Sequence, residues 1–193
     1  MKRYWADTDN NSDDDATVET HFNNIYYYGS VTSNSVLQLN LEINKLANKC
    51  KHVKTNYGLK ETPKIYVHIQ SLGGDAMAGL SAMDTMRNCK VPIVTIVDGY
   101  AASAATFILM GGTERHMQKN ANVLMHQIST EFWGKFKELQ DETTNCKKLM
   151  DIIKETYSER CTFTKKELTS LLKKELYLNA SECLEKGIID KII

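Results

Sequence analysis

Two strand–turn–helix units that follow one another in the middle of the chain constrain its fold most strongly. The first has a strand at residues 64–70, the turn Ser71-Leu-Gly-Gly-Asp75 and a helix at 76–88. The second has a β-branched strand at 92–97 and an apolar helix at 103–110. Strand–helix–strand units of this length form right-handed crossovers, so the pattern predicts a mostly parallel sheet in an α/β fold.

Predicted strands and helices also flank these two units. An aromatic strand at 24–29 precedes an amphipathic helix, for which Ser33 or Ser35 is the expected N-cap. Residues 51–63 are predicted to form a polar loop. The later predicted elements are short strands at 114–118 and 123–128, a long helix over about 134–161, and a helix that begins with the capping box Thr164-Lys-Lys-Glu167.

Residues 1–20 differ in composition from the rest of the chain. They are polar and acidic, with three consecutive aspartates at 13–15, which favours a flexible N-terminal tail. No repeat, low-complexity tract or linker interrupts the remainder. Residues 21–193 are therefore predicted to form one domain, which is long enough to bury a sizeable core.

The composition argues against several classes of function. The 24 basic and 24 acidic residues balance, so no bulk charge favours binding to nucleic acid or a membrane surface. No apolar run reaches the roughly 20 residues that span a bilayer, and no signal-peptide core is recognised, so we expect a cytoplasmic protein. The five cysteines include no Cys-x-x-Cys pair, and no two of the five histidines are four residues apart. Metal, redox and cofactor-binding functions are therefore not predicted.

Ser103 stands at the predicted turn from the second strand into its helix. A serine at such a turn can expose its hydroxyl beside helix N-terminal N–H groups, which stabilise a developing oxyanion. The alternative is an alanine- and serine-rich helix that packs closely in the core. These two interpretations remain open on this segment alone.

Two other segments offer groups that a nucleophilic serine needs. His126 lies in the apolar run 124–128, where it is either a core residue or a general base. Gly73 and Gly74 follow a buried strand, where they form either a tight turn or a loop whose N–H groups approach a ligand. A third group, an acid that orients the imidazole, cannot be chosen among the 24 acidic residues by spacing alone.

Five short motifs occur in a fixed order along residues 24–193. They are Ser71-Leu-Gly-Gly74, Ala78-Gly-Leu-Ser-Ala-Met-Asp84-Thr-Met86, Gly99-Tyr-Ala-Ala-Ser103-Ala-Ala105, Met125-His126-Gln127, and the segment from Ala180 to Gly187-Ile-Ile-Asp190-Lys191. In this order they resemble the motifs of the proteolytic subunit of the Clp protease. The resemblance implies a ClpP/crotonase-like α/β fold, a spiral of βαβ units with a long helical handle segment.

The resemblance also implies a role for five residues. Ser103 matches the nucleophile and His126 the general base. Glu175 stands where the family has its catalytic aspartate. Gly74 and Ala104 match the residues whose amides form the oxyanion hole. The implied activity is that of a serine endopeptidase, which hydrolyses peptide bonds of unfolded proteins by acyl transfer inside an oligomeric chamber.

The implied partners follow from the same resemblance. Subunits would form heptameric rings stacked as a tetradecamer, and an AAA+ unfoldase would feed unfolded polypeptides or peptides into the chamber. The chain has no Gly-x4-Gly-Lys-Ser/Thr phosphate loop, so no nucleotide or other cofactor is expected on the peptidase itself. Neither nucleic acid nor a membrane is an expected partner.

Among the positions that depart from the family pattern, three bear on whether the chain is active. Leu72 replaces a proline before the glycine pair, Glu175 is one methylene longer than aspartate, and Lys174 replaces an arginine that the family uses in ring-to-ring contacts. These departures keep open a non-catalytic ring subunit of a Clp-type complex. A crotonase-type acyl-CoA enzyme, which shares the fold, is a further alternative.

Overall fold

The strands of the computed structural model, which describes residues 16–193, belong to one sheet. Within these residues the sheet has eight strands. Their bounds are β1 Thr17–His21, β2 Asn24–Tyr28, β3 Ile65–Ser71, β4 Ile93–Ala102, β5 Glu114–Met117, β6 Asn122–Leu124, β7 Tyr177–Asn179 and β8 Lys191–Ile192. The strand order is β1-β2-β3-β4-β5-β8, and β6 pairs with both β4 and β7.

Six helices connect or follow these strands within the same residues. Their bounds are α1 Ser33–Asn56, α2 Ala76–Asn88, α3 Ala105–Gly111, α4 Phe136–Ser158, α5 Lys165–Leu171 and α6 Ala180–Glu185. None of these helices has a stretch both long and apolar enough to cross a membrane.

The sheet is mostly parallel, as the strand–turn–helix units predict. The pairs β2–β3, β3–β4, β4–β5, β4–β6 and β5–β8 are parallel, whereas β1–β2 and β6–β7 are antiparallel. Strand β4 divides the sheet, because its residues 94–97 pair with β5 and its residues 100–102 pair with β6. The far end of β4 therefore enters a separate group of strands, where the predicted site residues lie.

The core lies between the sheet and helices α1 to α3. Strand β3 alternates, with Ile65, Val67 and Ile69 fully buried against the helices and the residues between them half-buried on the other face. Every residue of α3 is buried, which explains why that helix is apolar all round rather than along one stripe.

The C-terminal segment is fixed to the sheet by an ion pair. The guanidinium and backbone N–H of Arg115, on β5, donate to the Asp190 carboxylate at 2.6–3.1 Å. Arg115 is buried and Asp190 is partly exposed. Burial acts to raise the pKa of Asp190, but the hydrogen bonds from Arg115 outweigh it and hold that pKa below its ordinary value.

The structure corrects two local predictions. Thr32, and neither Ser33 nor Ser35, is the N-cap of α1; its side chain accepts from the Ser35 N–H, and the Ser35 hydroxyl accepts from the Thr32 N–H. Helix α1 also continues to Asn56, through residues predicted as loop, because a polar stretch can form the solvent-facing side of a helix.

The predicted tail, residues 1–20, falls largely outside the described part of the chain. Residues 1–15 are not described, and their flexibility stays a prediction. Residues 17–21 form β1, which pairs with β2 from Thr17 opposite Tyr28 to His21 opposite Asn24. The ordered sheet therefore begins before the boundary at residue 21 that the composition suggests.

Candidate active site

Ser103 occupies a sharp turn between β4 and α3. Its φ is 53°, in the left-handed region that residues with a side chain rarely adopt and that is often found at functional sites. Strand β4 continues to Ala102, beyond its predicted end, and α3 begins only at Ala105. The Ser103 N–H donates to the carbonyl of Leu124 at 2.9 Å, which fixes the turn against β6.

Neither Gly73 nor Gly74 accommodates a side chain, because Gly73 lies against this turn and Gly74 lies against Val31. Their φ values are 102° and 144°, which favour glycine. A Cβ on Gly73 would lie 2.6 Å from the Cβ of Ser103, and one on Gly74 would overlap the carbonyl oxygen of Val31. The glycine pair therefore brings main chain against the serine, the arrangement that the sequence left open beside a simple tight turn.

Two N–H groups beside Ser103 are free to bind a ligand. The N–H of Gly73 donates to the Ser71 hydroxyl at 3.1 Å. The N–H groups of Gly74 and Ala104 have no hydrogen-bond acceptor anywhere in residues 16–193. One of these donors directly follows Ser103 and the other directly follows Gly73, which lies against Ser103. Free backbone donors near a serine form the kind of site that stabilises an oxyanion.

His126 and Glu175 meet because β6 and β7 are antiparallel. Leu124 pairs with Tyr177. Because the strands run in opposite directions, the position two residues after Leu124 lies opposite the position two residues before Tyr177, so the same register places 126 opposite 175. The Nδ1 atom of His126 lies 2.8 Å from Oε1 of Glu175. The imidazole is 21% exposed and the carboxylate side chain 65% exposed, so water reaches this contact mainly from the glutamate side.

The contact with Glu175 determines how His126 can act. A neutral imidazole that donates its Nδ1 proton to the carboxylate keeps Nε2 as an acceptor. That acceptor is the atom a serine hydroxyl would need as its base. Within residues 16–193 the Ser103 hydroxyl makes no hydrogen bond to His126. Catalytic hydrogen bonds are often long without substrate and tighten only in the complex.

A hydrogen-bond chain beneath the serine was not predicted from the sequence. The Thr106 hydroxyl donates to the Ser103 carbonyl at 2.5 Å, and the Tyr157 hydroxyl lies 2.6 Å from the Thr106 oxygen. Tyr157 is fully buried, and desolvation raises its pKa above the ordinary value. In the sequence, Tyr157 is one of the apolar positions of the predicted helix over about 134–161, and that pattern indicates only a core residue. A buried tyrosine hydroxyl, however, usually has a polar partner.

Over residues 16–193 no group of three or more histidine, cysteine, aspartate or glutamate side chains is placed to hold a metal ion. The groups available at the candidate site are thus a hydroxyl, an imidazole, a carboxylate and two backbone donors.

Comparison with known proteins gives the same family as the motifs. The model of the Clp protease family matches residues 22–193. The ATP-dependent Clp protease proteolytic subunit of Mesostigma viride is 32% identical over 135 residues, which are 69% of this chain and 59% of that protein. The subunit of the same name from Deinococcus radiodurans is 30% identical over 132 residues, 67% of this chain and 65% of that protein. The matched part thus spans about three fifths of the length of these relatives.

A solved structure supports the fold independently. A mutant of ClpP1 from Listeria monocytogenes superposes with a TM-score of 0.76 and covers 89% of this chain and 91% of its own, at 18% identity. This likeness confirms the predicted ClpP/crotonase-like fold. Together with the family match over nearly all described residues, it confirms the resemblance given by the five motifs: the chain belongs to the Clp protease family.

Proposed function

We propose that this chain is a serine endopeptidase subunit in which Ser103 is the nucleophile, His126 the general base and Glu175 the acid that orients it. The observation that carries the proposal is the 2.8 Å contact between His126 Nδ1 and Glu175 Oε1. It sets the imidazole tautomer that a serine protease requires. The left-handed turn at Ser103 supports the same assignment.

The proposed reaction is acyl transfer through two tetrahedral intermediates. Nε2 of His126 takes the Ser103 proton while the serine oxygen attacks the peptide carbonyl carbon. The imidazolium then gives that proton to the leaving amine, and the C–N bond breaks to leave an acyl-enzyme. Water, deprotonated by the same imidazole, attacks the ester and releases the carboxylic acid and free serine.

The free N–H groups of Gly74 and Ala104 are proposed to bind the negative oxygen of each tetrahedral intermediate. Backbone donors are fixed by the fold, so they need no reorganisation when the charge develops. Removal of one such donor costs about 3 kcal/mol of transition-state stabilisation where it has been measured. The lack of an internal acceptor for either group supports this role.

Glu175 replaces the family's aspartate, and the antiparallel register supports its use as the acid. The chain at 175 lies opposite 126, and the longer side chain reaches the imidazole at hydrogen-bond distance. The carboxylate stabilises the imidazolium that forms in each step.

We also propose that copies of the chain form stacked heptameric rings that enclose the serines, with unfolded polypeptides fed by an AAA+ ATPase. The relatives are named ATP-dependent, which implies that ATP is hydrolysed during their work. The 193 residues here contain no phosphate loop, so a separate ATPase is proposed to hydrolyse it. Large exposed apolar side chains support contacts between copies: Leu37, Leu41, Met77, Trp133 and Phe136. A cytoplasmic location remains a proposal from the sequence.

Native mass spectrometry tests the assembly. Fourteen copies of the 21.9 kDa chain give a particle of about 307 kDa. A particle of that mass supports the proposal, and a monomer at micromolar concentration contradicts it.

Labelling with a fluorophosphonate probe tests the catalytic assignment. We expect the assembled protein to be labelled and to cleave a fluorogenic peptide, and the Ser103→Ala variant to do neither. Ser181→Ala, at an exposed serine on α6, is the matched control and is expected to be labelled. Within residues 16–193 no hydrogen bond joins Ser103 to His126, and this observation keeps one second candidate open, a non-catalytic ring subunit. An assembled particle that is neither labelled nor active would establish that candidate instead.

A further inference from the structure

A cleft opens on the sheet beside the candidate active site, between the end of β4 and the strands β6 and β7. Its volume is about 610 Å³. It is lined by Leu72, Gly99, Tyr100, Asn122 and Tyr177. This set contains no charged side chain, and its three large members are apolar or aromatic.

Each large lining residue lies next to a different part of the site. Leu72 directly precedes the glycine pair, and Tyr100 lies on β4 three residues before Ser103. Tyr177 begins β7, two residues after Glu175. The cleft is thus lined by the same chain segments that carry the glycine pair, the serine and the carboxylate.

The cleft also shares a sheet face with the imidazole. Asn122 pairs with Tyr100, and Leu124 pairs with Tyr177. Successive side chains of a strand alternate between its faces, so Asn122 and Leu124 point to one face, and the same alternation continued past the end of β6 gives this face to position 126. His126 therefore projects on the side of the sheet where the cleft opens.

The lining side chains are available to a ligand. Leu72 is 55% exposed and Tyr177 is 47% exposed, so both still have apolar surface to bury. Burial of such surface favours an apolar occupant, and an aromatic ring gains further from offset or edge contacts with tyrosines. Asn122 places one amide at the wall, where it can bond the occupant's main chain.

We propose that this cleft is a specificity subsite that takes a bulky apolar, preferably aromatic, side chain from the substrate residue directly after the scissile bond. The proposal rests on the proposed peptidase function. Because the imidazole protonates the leaving amine, the leaving part of the substrate lies on the imidazole's side of the serine. Asn122 and Tyr177 of the cleft wall lie on β6 and β7, the strands that lead to His126 and Glu175, so we assign the cleft's occupant to the residue whose nitrogen leaves.

Paired peptide substrates test the subsite. Two fluorogenic peptides differ only in phenylalanine or alanine directly after the cleaved bond, and a second pair differs in the same way directly before it. For the unsubstituted protein we expect kcat/KM to favour phenylalanine after the bond by about tenfold, as a hydrophobic pocket discriminates side chains of different size.

Variants of the exposed lining residues locate the effect. We expect Tyr177→Ala and Leu72→Ala each to reduce that phenylalanine-to-alanine ratio to about twofold or less, and Tyr177→Phe to retain it. Tyr57→Ala, at a 77% exposed tyrosine just after α1, is the matched control and should leave the ratio unchanged.

The outcomes separate this inference from the function on which it rests. A labelled, active protein whose ratio is near one, or whose preference lies only before the bond, overturns the subsite. A ratio that survives both alanine variants overturns it as well. A protein that neither reacts with fluorophosphonate nor cleaves any peptide refutes the peptidase function itself, and the subsite with it.

Discussion

The substitution Glu175→Gln removes the charge of the proposed acid and keeps the length of its side chain. In the structure this carboxylate contacts His126 Nδ1 at 2.8 Å and is 65% exposed. Glutamine can still accept a hydrogen bond there, but it does not stabilise the imidazolium by charge. The change therefore removes the charge at this contact with little change in side-chain size.

The exposure of Glu175 sets the size of the expected effect. A hydrogen bond to a charged group contributes about 1.5–3 kcal/mol, which corresponds to roughly 10- to 150-fold in rate. Water screens a carboxylate this exposed, so we expect kcat to fall about 10- to 50-fold. Where the acid of a triad is buried, its replacement by the amide costs about 10⁴-fold, because the amide holds the imidazole in the wrong tautomer.

The assay is steady-state hydrolysis of a fluorogenic peptide at constant ionic strength. Glu185→Gln, at an exposed glutamate of α6, is the matched control and should change kcat less than twofold. A loss below threefold for Glu175→Gln refutes the role of Glu175 as the acid. A loss near 10⁴-fold refutes the reasoning from exposure, because it means that the amide holds the imidazole in the wrong tautomer.

Three other substitutions test how the site and the fold are held. Gly73→Ala places a Cβ 2.6 Å from the Cβ of Ser103, at a residue whose φ is 102°. We therefore expect fluorophosphonate labelling to fall at least tenfold, and the free energy of unfolding in urea to fall by about 1–3 kcal/mol. Tyr157→Phe removes the donor to the buried Thr106 oxygen, which should cost about 1 kcal/mol in the same assay. The pKa of Asp190 is lower in the folded protein than in the unfolded chain, so its ionised carboxylate stabilises the fold at pH values above the unfolded pKa. This stabilisation is lost as the pH falls through the folded pKa. Asp190→Asn should therefore be less stable than the parent at pH 6, and the difference should shrink at pH 3.

Each of these predictions has an outcome that contradicts it. Normal labelling of Gly73→Ala means that the turn tolerates a side chain there. Unchanged stability of Tyr157→Phe means that water replaces the hydroxyl. Asp141→Asn, at an exposed helical ion pair, is the control for Asp190→Asn, and an equal pH response of the two variants refutes the ion-pair argument.

The sequence predicts the fold well because the spacing of apolar residues along a segment shows which of its side chains are buried. Helix α2 has the predicted bounds, and the strand at 24–29 is one residue shorter in the structure. The end of β4 was placed five residues too early, since Asp98 and Gly99 look like a turn but lie inside the continuous strand, where its register with β3 shifts. That error also moved the start of α3, which begins two residues after Ser103 rather than at it.

The site is predictable only in part, because its contacts join segments far apart in the chain. Glu175 came from the resemblance alone, since no local signal separates it from the other acidic residues. Its partnership with His126 depends on the β6–β7 register, which needs the folded sheet. The support from Tyr157 through Thr106 depends on how α4 packs over α3, and no spacing rule reports that packing.

A crystal structure of the assembled protein after reaction with a fluorophosphonate tests the central claim most directly. The account predicts a covalent bond to Ser103, with a phosphoryl oxygen about 2.7–3.1 Å from the N–H groups of Gly74 and Ala104. It also predicts that the contact between His126 and Glu175 is retained. An adduct whose phosphoryl oxygen faces solvent, away from both amides, would contradict the account.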